Sequence, residues 1–198
     1  MATGVGLRER KKADTRVAIS RAALRLAIER GPDAVTVDDI AAAADVSPRT
    51  VFNYFATKEE AILGFDPNRK LELGQSVLER PARETPLATL RAAFVDIATG
   101  VPEVAEMSRA RVQLVRDHPQ LHPSYVAGYA ALENALVDAI AQRTGLDPER
   151  SLYPRLVVST AIAAFRVALD RAGPGQASLI AAIDEAFDDL AGGLRPPR

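Results

Sequence analysis

Four side chains that can contact nucleic acid lie within one short segment, at Arg49, Thr50, Asn53 and Tyr54. An Arg guanidinium offers paired donors to guanine or phosphate, and an Asn amide can pair with adenine. Thr and Tyr hydroxyls can donate to phosphate oxygens, and the Thr methyl can contact the methyl group of thymine. These residue types and their spacing favour a nucleic-acid surface. For each residue taken alone, ordinary exposed surface of a helical bundle remains the alternative.

The sequence contains weak signals for metal or catalytic chemistry. Its two histidines, His118 and His122, have a spacing that would align them on one helix, but Pro119 and Pro123 interrupt such a helix. The chain has no cysteine, and a zinc site would need further ligands. It also lacks a Gly-rich phosphate loop, a paired-carboxylate motif and a Ser nucleophile elbow. We therefore expect no metal, no cofactor and no enzymatic activity.

The elements around Arg49, Thr50, Asn53 and Tyr54 predict a helix-turn-helix. Two short helices, 37–44 and 48–55, are joined by a three-residue link and follow a longer helix at 14–30. Val51 and Phe55 are one turn apart and should point inward against Ile40 and the longer helix. The apolar face of that longer helix is formed by Ile19, Ala22, Ala23, Leu26 and Ala27.

The charge of the chain is unevenly distributed. Residues 1–25 contain seven basic and two acidic residues, a net charge of +5, whereas the remaining 173 residues carry −6, so the total is only −1. The run that contains Arg8, Arg10 and Lys11 is either a solubilising tail or an arm that meets phosphates or a minor groove. Together with the helix-turn-helix pattern, this basic arm favours DNA as the partner.

Composition and the signals for helix starts predict an all-α protein. Helix formers dominate, and β-branched runs with period-two alternation are scarce. An N-cap residue precedes Pro at Ser47, Asp66, Thr85 and Asp147, and capping boxes are expected at Thr36 and Thr57, the second being the better match. The predicted helices are 14–30, 37–44, 48–55, 58–64, 67–79, 86–99, 102–117, 120–143, 148–172 and 176–191.

The chain has no segment that predicts a membrane span or a signal peptide. The longest apolar stretch, 156–165, is about half the length that a bilayer requires. No apolar region follows the N-terminal charges. We therefore expect a cytoplasmic protein with no membrane partner.

Three segments resemble the DNA-binding domain of the TetR family of transcriptional regulators. They are Thr15 to Gly31 (TRVAISRAALRLAIERG), Thr36 to Ser47 (TVDDIAAAADVS) and Thr50 to Glu60 (TVFNYFATKEE). The resemblance covers roughly residues 12–64 without gaps. Ser20 and Ala27 depart from it, because the family often has larger apolar residues at these positions, and they should thin the core of the small domain.

The resemblance implies a DNA-binding domain at 1–64 and a helical effector-binding and dimerisation domain at 65–198. It implies a ligand-responsive regulator, a repressor that binds a palindromic operator as a homodimer. Its third helix would enter the major groove, and Thr36 and Lys58 would contact phosphates. The residues expected at DNA are Thr36, Ser47, Pro48, Arg49, Thr50, Phe52, Asn53, Tyr54, Lys58, Arg8, Arg10 and Lys11.

The C-terminal part resembles the family in architecture and length only. Its last two helices would pair with their copies, through Leu156, Ala163 and Val167 in the first and Leu179, Ile183, Ala186 and Leu190 in the second. A core helix of a monomer would look the same. The site of an unknown small-molecule effector would be lined by Phe94, Ile97, Met107, Arg111, Leu114, Tyr125, Tyr129 and Arg166. The alternative is that the apolar and Tyr side chains pack in the core and that the two Arg side chains pair with a nearby Glu or reach the surface.

Two other classes of function stay open on sequence alone. One is a helical-bundle enzyme or small-molecule binding protein without sequence-specific DNA binding. The other is a plain helical interaction protein, which would explain the bundle but not the polar surface of the third helix.

Overall fold

The computed structural model describes residues 7–65, 67–100, 104–173 and 175–196. Within these ranges, the side chains of residues 7–10 and 67–69 are not described. Most of the described residues are helical, and no strand occurs among them. The predicted all-α class is therefore confirmed. None of the described helices is both long and apolar enough to cross a membrane.

Ten α-helices and two 3₁₀ turns occur in the described part of the chain. The helices are α1 (Leu7–Arg30), α2 (Val37–Ala43), α3 (Pro48–Tyr54), α4 (Lys58–Leu63), α5 (Pro67–Glu79), α6 (Pro86–Gly100), α7 (Val104–Asp117), α8 (His122–Thr144), α9 (Tyr153–Arg171) and α10 (Gln176–Ala191). The 3₁₀ turns are Pro32–Ala34 and Pro119–Leu121. The second turn separates His118 from α8, as the two prolines predicted.

Helix α1 begins seven residues before the predicted start at residue 14. The Thr15 hydroxyl donates to the carbonyl of Lys11 at 2.9 Å, so residue 11 already lies within the helix. Leu, Arg, Lys and Glu are good helix formers, and the run of charges is compatible with a helix. The predicted basic arm at residues 8–11 is therefore helical in its backbone.

Helix α9 begins at Tyr153 rather than at the predicted residue 148. Asp147 instead closes a turn, in which its carbonyl accepts from Ser151 N at 2.9 Å and its carboxylate accepts from Glu149 N at 2.9 Å. Pro154 then lies at the start of α9, where its missing N–H costs nothing. A helix running from 148 would have Pro154 in its interior, which Pro disfavours.

The other Pro-based helix starts are confirmed, two of them with their side-chain caps. The Ser47 hydroxyl accepts from Thr50 N at 3.1 Å ahead of α3, and the Thr85 hydroxyl accepts from Ala88 N at 3.2 Å ahead of α6. Helix α5 likewise begins at the predicted Pro67, although its predicted cap residue, Asp66, lies outside the described residues. A cap residue followed by Pro thus marks a helix start where the chain has no competing Pro within the next two turns.

The chain folds into two compact units. The first consists of Met1–Asn68 with Arg111–Gly128, and the second of Arg69–Ala110 with Tyr129–Arg198. In the first unit, α1 packs against α2, α4 and the 3₁₀ turn at Pro32–Ala34, and α2 packs against α3. The buried apolar face predicted for α1 is confirmed, with Ile19, Ala22, Ala23, Leu26 and Ala27 all buried. The division after residue 64 stays a prediction.

In the second unit, α6, α9 and α10 pack against one another. Phe94 of α6 stacks on Phe165 of α9 with ring centroids 4.5 Å apart, and Phe187 of α10 lies 6.1 Å from Phe94. Arg91 of α6 also forms ion pairs of 2.7 Å with Asp184 and Asp188 of α10. Aromatic packing in the interior and ion pairs at the edge thus hold α6 to α10.

Candidate nucleic-acid interface

Side chains cap the starts of both α2 and α3. Thr36 forms a full capping box with Asp39, in which Thr36 Oγ1 accepts from Asp39 N at 3.1 Å and Asp39 Oδ2 accepts from Thr36 N at 2.9 Å. These bonds from Thr36, with the nearby charge of Arg30, hold the pKa of Asp39 below its usual value of 3.8. Within the link, Asp45 adopts a φ of 55°, a left-handed conformation that Asp tolerates better than most residues.

The second predicted capping box, at Thr57, is only half formed. The Thr57 hydroxyl accepts from Glu60 N at 3.1 Å, but the Glu60 carboxylate accepts from Ala56 N at 2.9 Å rather than from Thr57 N. The prediction that Thr57 is the better match is therefore wrong. The carboxylate of the shorter Asp39 reaches the N-cap amide, whereas that of the longer Glu60 bonds one residue earlier.

Helix α3 presents one face to the core and the rest to solvent. Val51 and Phe55 are each 1% exposed, as predicted, and Ile40 is fully buried. Pro48, Arg49, Phe52 and Asn53 are exposed, and Thr50 and Tyr54 are half-buried. Of the α3 side chains predicted to meet DNA, four are therefore exposed on its outer side and two are half-buried.

The hydroxyls near the start of α2 and α3 are already hydrogen bonded within the chain. Ser47 Oγ lies 2.8 Å from Thr50 Oγ1, and Thr36 Oγ1 donates to Asp39 Oδ2 at 2.5 Å. Ser47 and Thr36 remain exposed. Their contacts with phosphate stay predictions, and their observed role is to fix where the two helices begin.

Lys58 occupies a position that the sequence did not suggest. Its ammonium donates to the carbonyls of Pro32 and Val35, each at 3.0 Å, and approaches the carbonyl of Asp33 at 3.5 Å. Three acceptors match the three donors of an ammonium. Lys58 thus ties the start of α4 to the segment between α1 and α2, and its predicted contact with phosphate stays a prediction.

Of the predicted basic arm, Lys11 is exposed on α1. Arg8 and Arg10 belong to the helical backbone of α1, but their side chains lie outside the described residues. Farther along α1, Arg21 and Arg25 are exposed whereas Arg16 is buried at 6% exposure. The sequence had placed all three mainly off the apolar face, so the burial of Arg16 is a departure from it.

Ser20 is a polar residue in the core, and it bridges α4 to α7. Its hydroxyl donates to the carbonyl of Ala61 at 2.8 Å and accepts from Arg111 Nη2 at 2.8 Å. Arg111 Nε in turn donates to the carbonyl of Ile62 at 3.1 Å. Ser20 therefore makes a specific polar contact at a position where the family often has a larger apolar residue. The signal in the sequence for this contact was a polar residue on the apolar face of α1.

The end of α4 fits closely against α7 and α8. Gly64 has a φ of 73°, and a Cβ on it would lie 2.6 Å from the guanidinium of Arg111. Phe65 packs on Gly128, where a Cβ would lie 2.2 Å from the ring, and Phe65 stands edge-on to Tyr125 at 6.0 Å. Both glycines are therefore required by these close approaches, and sequence spacing gave no sign of either.

The residues predicted to line an effector site are divided between the two units. Arg111, Leu114 and Tyr125 belong to the first, and the second holds Phe94, Ile97, Met107, Tyr129 and Arg166. Phe94 is 1% exposed and stacked within the core, whereas Arg166 is exposed on α9. Arg111 donates to Ile62 and Ser20. Their contact with an effector stays a prediction.

No group of three or more His, Asp or Glu residues that could hold a metal ion occurs in the part of the chain that the structure describes.

Two family models match the chain. One, described as bacterial regulatory proteins of the tetR family, matches residues 19–63, and the other, described as the MftR C-terminal domain, matches residues 84–195. The first match covers α2, α3 and α4 with the second half of α1, and the second covers α6 to α10.

Similar proteins support these matches. The chain is 34% identical to the HTH-type transcriptional regulator TcmR of Streptomyces glaucescens, over 94% of this chain and 87% of TcmR. Its fold is similar to that of the SmeT–triclosan complex, with a TM-score of 0.56 at 21% identity, over 91% of each chain. It is also similar in fold to the fatty acid degradation regulator FadR of Bacillus halodurans, with a TM-score of 0.54 at 18% identity, over 92% of this chain and 97% of FadR. This chain belongs to the TetR family of bacterial transcriptional regulators.

Proposed function

We propose that the chain is a ligand-responsive repressor that binds a palindromic DNA operator as a homodimer, with α3 in the major groove. The observation that carries this proposal is the outer side of α3, where Arg49, Phe52 and Asn53 are exposed while Val51 and Phe55 anchor the helix to the core. A helix with a buried back and exposed base-reading side chains suits a major groove. Binding should be strengthened by the basic residues of α1.

Dimerisation is proposed through α9. One face of α9 is buried through Val158, Ala161 and Leu169, whereas Leu156 and Val167 are 62% and 59% exposed on the other, together with Ala163. Exposed apolar side chains that share one face of a helix can form an interaction surface. The matching residues of α10 are different, because Leu179 and Ile183 are buried in the core of their own unit. The apolar contact with a second copy is therefore assigned to α9 rather than equally to both helices.

A small-molecule effector is proposed to control DNA affinity through the helical region. The same fold holds triclosan in the SmeT complex, which supports a small organic molecule as the kind of effector. Such a ligand can change operator affinity only if it binds the DNA-competent and DNA-incompetent conformations with different affinity. The predicted residues Met107 and Tyr129, which both belong to the second unit, are the first to substitute in a search for its site.

We further propose that the chain is not an enzyme and acts in the bacterial cytoplasm. The family is one of transcriptional regulators, and the chromosomal DNA on which they act is cytoplasmic. Steady turnover of a metabolite by the purified protein would contradict the first part of this proposal.

The test is selection of binding sites from random duplex DNA by the purified full chain, followed by affinity measurements over a series of salt concentrations. The expected result is an inverted repeat whose half-sites are separated by about one or more helical turns, roughly 34 Å each. The affinity should fall steeply as salt rises, because phosphate contacts release counterions. Selection of no sequence, or binding indifferent to salt, would contradict the proposal.

A further inference from the structure

The outer side of α3 contains one large apolar side chain among polar ones. Phe52 is 57% exposed, although Val51 on the same short helix and Phe55 directly after it are almost completely buried. Its neighbours on that side are Arg49, one turn earlier, and Asn53, and both are exposed. The core of the unit is therefore complete without Phe52, whose ring is available to whatever α3 contacts.

A phenyl ring limits the kind of contact that this position can make. It has no hydroxyl to donate to a phosphate and no amide to pair with a base edge. In a major groove, the apolar feature available to it is the C5-methyl group of thymine, which distinguishes thymine from the other bases. The charged and amide neighbours, in contrast, suit guanine, adenine or phosphate.

From this arrangement we infer that Phe52 is a specificity-determining residue that reads a thymine methyl group in each half-site of the operator. The inference rests on the proposed function and adds one base to what α3 recognises. It also fixes where that base lies. Side chains three residues apart on a helix have Cβ atoms about 5–6 Å apart, and successive bases on a strand rise about 3.4 Å. The thymine is therefore within about two base pairs of the base or phosphate that Arg49 contacts.

The test uses the full chain and a synthetic operator taken from the random-site selection. Each thymine is replaced in turn by deoxyuridine, which removes the 5-methyl group and keeps the Watson–Crick edge. For the unsubstituted protein, one such replacement in each half-site should weaken binding about fourfold, the value that burial of one methyl group gives. Replacement in both half-sites should weaken it about fifteenfold.

The variant Phe52→Ala identifies the side chain responsible. It should bind the thymine operator more weakly than the unsubstituted protein, and it should bind the thymine and deoxyuridine duplexes equally at the sensitive position. Because Phe52 is exposed, its thermal unfolding should be unchanged. The matched control is Leu71→Ala, another exposed apolar residue, 66% exposed on α5, which should keep both the affinity and the deoxyuridine effect.

Arg49→Ala tests the predicted spacing. If Arg49 contacts a guanine, methylation of that guanine at N7 should weaken binding of the unsubstituted protein but not of Arg49→Ala. Such a guanine marks the contact of Arg49. Phosphate ethylation mapped in the same way marks a backbone contact. Either mark should lie within about two base pairs of the sensitive thymine.

Three results would overturn the inference. The first is an operator in which no thymine replacement weakens binding, and the second is a deoxyuridine effect that persists in Phe52→Ala. The third is an Arg49 mark far from the sensitive thymine. Each of these would leave sequence-specific DNA binding, and with it the proposed function, intact. Failure of the unmodified operator to bind would contradict the proposed function as well.

Discussion

Single polar side chains decide how the elements of the first unit are joined. Ser20 and Arg111 connect α1 and α7 to the last carbonyls of α4, and Lys58 connects the start of α4 to the segment before α2. The carbonyl end of a helix carries partial negative charge and lacks hydrogen-bond donors, so a guanidinium there is favourable. The conformation of Gly64 leaves room for it.

Substitution of Ser20 by Ala should destabilise the protein. The change removes the donor to Ala61 and the acceptor for Arg111, and loss of buried hydrogen bonds costs about 1–3 kcal/mol. This loss should exceed the gain of at most about 0.7 kcal/mol that Ala brings to a helix interior. The measurement is the free energy of unfolding from urea denaturation.

Ser76→Ala is the control for this prediction. Its hydroxyl donates only to the carbonyl of Leu73, three residues earlier, and such a local bond contributes little to a helix. Ser76→Ala should therefore stay within about 0.5 kcal/mol of the unsubstituted chain. A Ser20→Ala variant as stable as the unsubstituted protein would show that the bridge to α4 contributes nothing.

At the scale of the elements, helix ends are satisfied mainly by side chains. Thr36, Ser47, Thr57 and Thr85 cap the starts of their helices. Arginine side chains donate to carbonyls at the C-terminal ends of two helices. Arg143 donates to the carbonyls of Val77 and Arg80 at the end of α5. Arg109 donates to the carbonyls of Leu169 and Ala172 at the end of α9. Helix α3 is only two turns long, so its position depends on such caps and on the packing of Val51 rather than on its own helix propensity.

The capping box of α2 should contribute to stability in a pH-dependent way. The pKa of Asp39 is lowered in the folded protein, so its contribution is complete above about pH 5, well above the unfolded pKa, and is lost as pH falls through the lowered pKa. Asp39→Asn should therefore reduce the free energy of unfolding most between about pH 5 and 7, and the difference from the unsubstituted protein should shrink below pH 4. Urea unfolding at pH 7, 5, 4 and 3 measures it.

Asp38→Asn is the matched comparison for Asp39→Asn. It removes a carboxylate from the same first turn of α2 without removing the bonds to Thr36. The stability lost specifically with the Asp39 carboxylate is the difference in the free energy of unfolding between the two variants. If that difference is the same at every pH, the carboxylate form of the capping box does not contribute.

At the scale of the whole molecule, the exposed apolar face of α9 is central. Leu156→Asp places a charge on that face and should convert a homodimer into a monomer of 21.2 kDa, because an unpaired charge in an apolar interface is costly. Sedimentation at micromolar concentration distinguishes the two masses. Leu71→Asp, on an equally exposed residue of α5, should remain dimeric.

A monomeric unsubstituted protein in the same measurement would contradict the assignment of α9. A Leu156→Asp variant that stays folded and dimeric would show that the second copy binds elsewhere.

Local rules predicted much of this fold, and long-range geometry accounts for what they missed. The cap and Pro at Ser47–Pro48 and the spacing of Val51 and Phe55 are local, and they placed the start of α3 and its buried side correctly. Thr50 and Tyr54, expected at the same surface as Arg49 and Asn53, are half-buried. At Asp147 the same local rule was wrong, because Pro154 further along decides where α9 starts. The partners of Ser20, Lys58 and Arg111 lie 23 to 91 residues away, and no periodicity within one helix can specify them.

The central claim is that α3 reads an operator through its outer side. The most direct measurement is the dissociation constant of the selected operator and of a scrambled duplex for the unsubstituted protein, Arg49→Ala and Arg116→Ala, an exposed arginine of α7. We predict that Arg49→Ala weakens operator binding by roughly tenfold, within the usual 1–3 kcal/mol for such a contact, while Arg116→Ala binds as the unsubstituted protein does. Equal affinity of the unsubstituted protein for both duplexes, or an Arg49→Ala variant with unchanged operator affinity, would contradict the claim.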